Sequence, residues 1–167
     1  MNNIILIGFM GVGKGSVARE VIKLSSYLAV DTDDLIESME NTKISKIFET
    51  NGEKYFRDLE AKISSWLEQS VKNTLISTGG GFYKQANLKK IGKIVLLDSP
   101  FADIIARIKS HPNAAKKLSK RPLLSDLAKA QELYDERRPE YLALADLVVD
   151  VTNKSAIDCA KEILKKV

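Results

Sequence analysis

Residue types that support disulfides, metal centres and membrane insertion are scarce in this 167-residue chain. The single cysteine, Cys159, excludes an intramolecular disulfide, and we expect it to be a small apolar residue of a cytoplasmic protein. The single histidine, His111, has no neighbours typical of metal ligands, so we assign it no chemical role. No apolar run approaches the roughly 20 residues of a membrane helix, and we expect neither a signal peptide nor a membrane partner.

Aromatic residues make up only 7% of the chain, which bears on nucleic-acid binding. The formal net charge of +4 would attract a polyanion. However, we find no helix-turn-helix and no RNA-binding aromatic signature, and the basic residues concentrate between Arg107 and Arg121 rather than along a stripe. We therefore expect no nucleic-acid partner, because binding a polyanionic nucleotide accounts for a mildly basic protein.

What the chain does contain is a regular alternation of short apolar segments and helical patterns. We expect one domain over residues 1–167, with five strands in a parallel sheet and helices on both faces, an α/β fold. The predicted strands are Ile4–Ile7, Leu28–Val30, Thr74–Ser77, Lys93–Asp98 and Leu147–Val151. The predicted helices span approximately 16–26, 34–41, 43–51, 55–70, 85–91, 101–109, 125–143 and 155–167.

Some local details of these elements are also predicted. Ser99 and Pro100 form a good N-cap and first-turn pair for the helix that follows them. Gly52 separates two helices, and Trp66 is expected in the core beside the helix face of Leu59, Ile63 and Leu67. The polar, lysine-rich stretch 111–120 is expected to be a mobile loop.

The first strand leads into the glycine-rich sequence Gly8-x-x-x-x-Gly13-Lys14, after which a helix begins. This context predicts a nucleotide-binding P-loop, in which backbone N–H groups and a lysine hold phosphates. The alternative is an ordinary glycine-rich turn. We expect the nucleotide to contact Gly11, Val12, Gly13, Lys14, Gly15 and Ser16. The pattern places Ser or Thr after the lysine to bind Mg²⁺, but here that residue is Gly15 and the hydroxyl comes at Ser16, an uncertain metal ligand.

Two further strands end in residues that suit phosphoryl transfer. Of the carboxylates Asp31 and Asp33, one is suited to orient the waters of Mg²⁺ and the other to accept a proton from a substrate hydroxyl. The alternative is an N-cap for the next helix, which better explains Asp34. The triple glycine 79–81 permits close backbone approach to a ligand.

Arginines in three places are candidates for binding anions. Arg57 and Arg137 are each ordinary as isolated helix residues, but together with Asp33 they suit an anionic substrate, since a guanidinium binds a carboxylate in bidentate fashion. Arg121 ends the polar stretch 111–120, which would bring a cation to the migrating phosphoryl group if it closed over ATP. A basic, solvated loop is the alternative.

Taken in order along the chain, these motifs resemble the shikimate kinase family. They are Gly8–Lys14, Asp31-Thr-Asp33, Gly52-x-x-x-Phe56-Arg57-x-x-Glu60, Gly79–Gly81, Arg121-Pro122-Leu123-Leu124 and Glu136-Arg137-x-Pro139-x-Tyr141. The resemblance implies ATP-dependent phosphorylation of the shikimate 3-hydroxyl, on the route to aromatic amino acids. It also implies a P-loop kinase fold with a lid at about 108–123, a helical substrate-binding subregion at about 31–60, and a monomer that uses ATP and Mg²⁺.

The resemblance further implies roles for individual residues. Asp33, Lys14 and Arg121 would be catalytic, and Asp31 would act on Mg²⁺ through water. The substrate would contact Asp33, Arg57, Gly79, Gly80, Gly81 and Arg137, beside an apolar wall of Ile44, Phe48 and Phe56. The nucleotide would contact the P-loop, Arg107, Arg121, Asn153 and Lys154, with Arg107 stacking near the adenine. Two departures are Gly15 and a lid that is several residues longer than usual.

Two other functions remain open at this point. One is another small-metabolite kinase of the same fold, such as a gluconate or nucleoside-monophosphate kinase. An acceptor nucleotide would call for more aromatic stacking than this chain provides, which disfavours a nucleoside-monophosphate kinase. The second open function is that of a non-catalytic nucleotide-binding protein, for which Gly15 is the only support.

Overall fold

The structure, a computed structural model, describes residues 3–119 and 122–167. Within them, five strands form one sheet in which every neighbouring pair is parallel. The strands are β1 Ile4–Ile7, β2 Leu28–Asp31, β3 Thr74–Ser77, β4 Lys93–Asp98 and β5 Leu147–Asp150. Their order across the sheet is β2-β3-β1-β4-β5. The predicted parallel α/β sheet is therefore confirmed.

The strand order explains why burial differs between strands. β1 lies in the middle, and all four of its residues are at most 1% exposed. A parallel strand covered on both faces needs a continuous apolar run, which Ile4–Ile7 provides. The edge strands are less covered, with Leu28 of β2 72% exposed. The hydrophobic core therefore centres on β1, β3 and β4.

Eight α-helices are described, and none of them is long and apolar enough to cross a lipid bilayer. They are α1 Lys14–Leu24, α2 Thr32–Glu40, α3 Ile44–Ser70, α4 Leu88–Ile91, α5 Phe101–Ser110, α6 Ala114–Ser119, α7 Leu127–Leu144 and α8 Ala156–Lys166. Helix α1 packs against α8, and α2 packs against α3. Cys159 is buried on α8, as predicted.

Helix α3 confirms one prediction and corrects another. Gly52 has non-helical dihedral angles, φ 81° and ψ 173°, so it separates two helical halves as predicted. Leu59, Ile63 and Leu67 are buried on one face. Trp66, however, is 44% exposed, so its predicted place in the core is wrong. It is adjacent to Leu67 in sequence, and neighbouring helical residues point about 100° apart, which takes its ring off the buried face.

Two other local predictions are also wrong. The N-cap of α5 is Pro100 rather than Ser99, and no side chain caps the helix. The Ser99 side chain instead lies 3.1 Å from the Thr152 hydroxyl, a contact between distant residues that sequence patterns do not show. The stretch predicted as a loop at 111–120 contains the helix α6, because Ala114 to Ser119 includes good helix formers.

Candidate active site

A cavity of about 700 Å³ lies beyond the carboxyl ends of the strands, where ligands bind in parallel α/β folds. It brings together most of the residues that the sequence singles out. These are Gly11, Val12, Gly13, Lys14, Gly15, Ser16, Asp31, Asp33, Ile44, Phe48, Phe56, Arg57, Gly79, Gly80, Gly81, Arg107, Arg137 and Lys154. Asn153 is not among the residues that line it, and Arg121 lies outside the described residues.

The loop between β1 and α1 is shaped by glycines in left-handed conformations. Gly11 and Gly13 have φ of 81° and 109°. A Cβ at Gly11 would lie 2.5 Å from the Ile108 side chain, so the loop packs closely against α5. The Lys14 ammonium donates hydrogen bonds to the carbonyls of Gly8 at 2.6 Å and Phe9 at 3.2 Å. The lysine is thus held within the curve of the loop.

Asp31 connects β2 to α2 and to the neighbouring strand. Its Oδ1 accepts hydrogen bonds from the backbone N–H groups of Asp33 at 2.9 Å and Asp34 at 3.3 Å, so Asp31 is the N-cap of α2. The capping role that the sequence best assigned to Asp34 therefore falls to Asp31. Its Oδ2 accepts from the Ser77 hydroxyl at 2.7 Å. Because a carboxylate has about four acceptor positions, one of them is left for a further donor.

Asp33 is a carboxylate in an unusual environment. Its Oδ1 is buried and has no hydrogen-bond partner among the described residues. Burial raises the pKa of Asp33 to about 7, with further increases from the nearby carboxylates Asp31 and Glu60 and a smaller opposing effect from Lys14. A carboxylate with such a pKa exchanges a proton near neutral pH.

Arg57 and Glu60 lie one turn apart on α3 and form an ion pair. Arg57 Nη1 donates to Glu60 Oε2 at 2.7 Å, and Arg57 Nη2 donates to the exposed Glu53 at 3.2 Å. Glu60 is 1% exposed, and its Oε1 has no hydrogen-bond partner among the described residues. Burial raises the pKa of Glu60, and the Arg57 guanidinium opposes that increase. The i,i+3 spacing signals this pair, but the sequence reasoning gave Glu60 no role.

Arg137 comes from α7 and lines the same cavity. It is 9% exposed, and its Nε has no hydrogen-bond partner among the described residues. A buried guanidinium with an unused donor is costly unless a ligand completes its hydrogen bonds. The same helix supplies Tyr141, whose hydroxyl donates to the Gly80 carbonyl at 2.6 Å. Tyr141 thus fixes the triple-glycine loop, a contact that the sequence reasoning did not identify.

The three consecutive glycines each lie against a different charged side chain. A Cβ at Gly79 would be 2.5 Å from Asp33 Oδ1, and one at Gly80 would be 3.0 Å from Arg137 Nη1. A Cβ at Gly81 would be 2.5 Å from Arg57 Nη1. The sequence predicted close approach of a ligand to this loop. The structure shows that the missing side chains first make room for Asp33, Arg137 and Arg57.

The other end of the cavity lies between the P-loop, α5 and the segment before α8. Arg107 Nη1 donates to the Val12 carbonyl at 3.1 Å, and Nη2 donates to the Val151 carbonyl at 3.2 Å. Arg107 therefore links the P-loop to the end of β5. Lys154 lines the cavity and forms an ion pair with Glu162 at 2.8 Å.

An aromatic pair borders the end of the cavity near Arg57. The rings of Phe48 and Phe56 have centroids 4.7 Å apart, and Phe48 is 37% exposed. The Arg57 guanidinium lies 5.4 Å from the centroid of the Phe56 ring. This wall is apolar on one side and adjoins a cation, which suits a ligand with a carbon ring and a carboxylate.

The cavity offers few side chains that could bind Mg²⁺ directly. No group of three or more metal-ligating side chains occurs in the part of the chain that the structure describes. Mg²⁺ commonly keeps several waters, and the remaining acceptor position of Asp31 can take a hydrogen bond from such a water. Ser16, an exposed residue in the first turn of α1, offers a hydroxyl. The donors therefore fit a hydrated ion bound mainly through water.

The chain is similar to known proteins in both sequence and fold. The family model described as Shikimate kinase matches residues 10–167. The shikimate kinase of Helicobacter hepaticus is 37% identical over 165 residues, covering 99% of this chain and 95% of the relative. The structure of shikimate kinase from Acinetobacter baumannii in complex with shikimate matches with a TM-score of 0.85 and 32% identity, covering 99% of this chain and 92% of that chain. The structure of the Aquifex aeolicus enzyme gives a TM-score of 0.79 and 33% identity, over 98% and 94% of the two chains.

Proposed function

The chain belongs to the shikimate kinase family, and from this premise we propose that it transfers the γ-phosphoryl group of ATP to the 3-hydroxyl of shikimate. One observation carries the proposal. Asp33, Arg57 and Arg137 converge on the triple glycine beside the P-loop, and buried atoms of Asp33 and Arg137 have no hydrogen-bond partner among the described residues. A ligand with hydroxyls and a carboxylate would satisfy both of these atoms.

The two arginines would bind the substrate carboxylate. Arg137 would use its buried guanidinium, whose Nε has no hydrogen-bond partner among the described residues. Arg57, held in place by Glu60, would bind from the opposite side. The Phe48–Phe56 wall would contact the ring, and the backbone of Gly79, Gly80 and Gly81 would lie against the ring hydroxyls. This arrangement orients the substrate, a large part of what phosphoryl transfer requires.

Asp33 would act as the general base. Its pKa of about 7 matches the operating pH at which a base is most effective, and it lies in the same cavity as Lys14. It would accept the proton of the attacking hydroxyl as the bond to phosphorus forms. Burial, together with three nearby carboxylates against one ammonium, raises the pKa of Asp33 and so its affinity for that proton.

The P-loop, with Arg107 and Lys154, would bind ATP. Backbone N–H groups at the start of α1 and the Lys14 ammonium would hold the phosphates. Arg121, Asn153 and a lid at about 108–123 remain proposals from the sequence. Bound Mg²⁺, held through water by Asp31 and near Ser16, would neutralise phosphate charge. We further propose a cytoplasmic monomer of one domain.

The test is coupled release of ADP with shikimate, with gluconate and with neither acceptor. We expect ADP release when shikimate is the acceptor, and none with gluconate or without an acceptor. Turnover with gluconate would instead support a related small-metabolite kinase. Nucleotide binding without any acceptor-dependent turnover at millimolar shikimate, with Mg²⁺ present, would support a non-catalytic protein and contradict the proposal.

The arginine assignment has its own test. We expect Arg137→Ala to raise the KM for shikimate by about a hundredfold and the KM for ATP by less than about threefold, because the lost contact is to the carboxylate. Arg138→Ala is the matched control, since Arg138 is paired with Asp98 at 2.8 Å and lines no part of the main cavity. Equal increases of the two KM values in Arg137→Ala would contradict the assignment.

A further inference from the structure

Residue 15 leaves a space at the start of α1 that another side chain of the same helix approaches. A Cβ at Gly15 would lie 3.7 Å from Arg19 Nη1. Arg19 Nη2 also donates a hydrogen bond to the Ser16 hydroxyl at 3.3 Å. Long side chains on a helix point back toward its N-terminus, so a residue four positions later covers this place. The guanidinium therefore lies over the turn that directly follows Lys14.

The Arg19 guanidinium has a hydroxyl partner, Ser16, but no acidic partner in the part of the chain that the structure describes. Arg19 forms no ion pair within residues 3–119 and 122–167, although other exposed cations of the chain do. The adjacent acid, Glu20, is paired with Lys23 at 2.7 Å, one turn away from the cavity. Arg19 lines the cavity together with Lys14, Gly15 and Ser16. An unpaired guanidinium at the edge of a phosphate-binding loop is suited to bind an anion.

We propose that Arg19 is a nucleotide-binding residue that contacts the phosphates across Gly15. A Ser or Thr at residue 15 would use its hydroxyl to recruit Mg²⁺. This chain has Gly15 instead, and the permanently charged Arg19 guanidinium lies beside it. The affinity for nucleotide then depends on Arg19 in the presence and in the absence of Mg²⁺. This inference rests on the proposed nucleotide site and deepens it, since it concerns what balances the phosphate charge at residue 15.

The experiment is a titration with ADP, without shikimate, by calorimetry in Mg²⁺ and in EDTA. We expect Arg19→Ala to weaken ADP binding about tenfold in both buffers, as for a lost charge-assisted hydrogen bond. Arg19→Lys retains the charge without the bidentate geometry, so its affinity for ADP should lie between those of the wild type and Arg19→Ala. Lys23→Ala, the matched control on the same helix, removes one charge outside the cavity and should change the affinity less than about twofold.

A second variant separates a phosphate contact from a role in shaping the loop. In the Arg19→Ala background, Gly15→Ser should recover affinity in Mg²⁺ but not in EDTA, because the new hydroxyl binds the metal. Recovery in EDTA as well would show that Arg19 only supports the loop and would overturn the proposal, as would equal affinities of Arg19→Ala and Lys23→Ala. The titration contains no acceptor, so its outcome is independent of shikimate turnover. The Arg19 contact can therefore be tested even if the chain does not phosphorylate shikimate, and turnover can be tested even if Arg19 does not bind nucleotide.

Discussion

The pKa of Asp33 makes a prediction about both stability and activity. Its folded-state pKa is about 7, against an ordinary value of 3.8. Between these two values the folded protein keeps a proton that the unfolded chain has released, so the contribution of Asp33 to stability falls as the pH rises through this window. Each pH unit lowers the free energy of unfolding by about 1.4 kcal/mol, so the loss over the full window is at most about 4 kcal/mol.

The perturbation is Asp33→Asn, which removes the ionisation and keeps the shape. We expect the free energy of unfolding of this variant, relative to the wild type, to increase by about 2 kcal/mol between about pH 5 and about pH 7.5. Because the same variant is compared at two pH values, any pH-independent effect of the asparagine side chain on the unfolding free energy cancels. Urea unfolding followed by circular dichroism measures both proteins in matched buffers. The same variant should lose about 10²- to 10⁴-fold in kcat, since the proposed base is gone.

Two results would refute this reasoning. A difference in unfolding free energy that is the same at both pH values would mean that Asp33 is ionised throughout. Substantial shikimate phosphorylation by Asp33→Asn would mean that another group accepts the proton. Asp58→Asn is the matched control, because Asp58 is a 66% exposed carboxylate on α3 that does not line the cavity, and its kcat should stay close to that of the wild type.

The triple-glycine loop supplies two further predictions. Gly81→Ala, which suits the backbone at φ −101°, would place a Cβ against Arg57, so the KM for shikimate should rise at least about tenfold with little change for ATP, as measured by steady-state kinetics. An equal effect on both substrates would mean that the change spreads through the loop. Tyr141→Phe removes the hydrogen bond to Gly80 and should lower the unfolding free energy by about 1 kcal/mol while raising the KM for shikimate. Unchanged stability would show that the Tyr141 hydroxyl contributes no net hydrogen bond.

The sheet could be predicted because its signals are local. A run such as Ile4–Ile7 is apolar at every position, as a strand covered on both faces requires. Gly52 also breaks α3 where expected, because its φ of 81° is one that few other residues adopt. The exposure of Trp66 was not predictable in this way. It depends on which side of α3 meets the rest of the protein, and an aromatic residue next to a buried face gives no separate signal.

The site was predictable as a set of residues but not as an arrangement. The order of the motifs identified Asp33, Arg57, Arg137 and the P-loop, and the parallel topology placed them at one edge of the sheet. The contacts between them depend on residues far apart in sequence. The Tyr141 hydroxyl and the Gly80 carbonyl are one example, separated by 61 positions. The sequence shows that residue 15 lacks the expected hydroxyl, but it does not show that the Arg19 guanidinium lies 3.7 Å from where a Cβ of that residue would be.

The triple-glycine loop has a consequence for mutational experiments. Consecutive Cα atoms are about 3.8 Å apart, so the loop holds the proposed base and the two proposed carboxylate-binding arginines at intervals fixed by the main chain. Small substitutions at successive positions should therefore produce distinguishable kinetic phenotypes: proton transfer at Gly79, and substrate affinity at Gly80 and Gly81. Substitutions at three consecutive glycines can thus perturb Asp33, Arg137 and Arg57 one at a time, although these residues are far apart in the sequence.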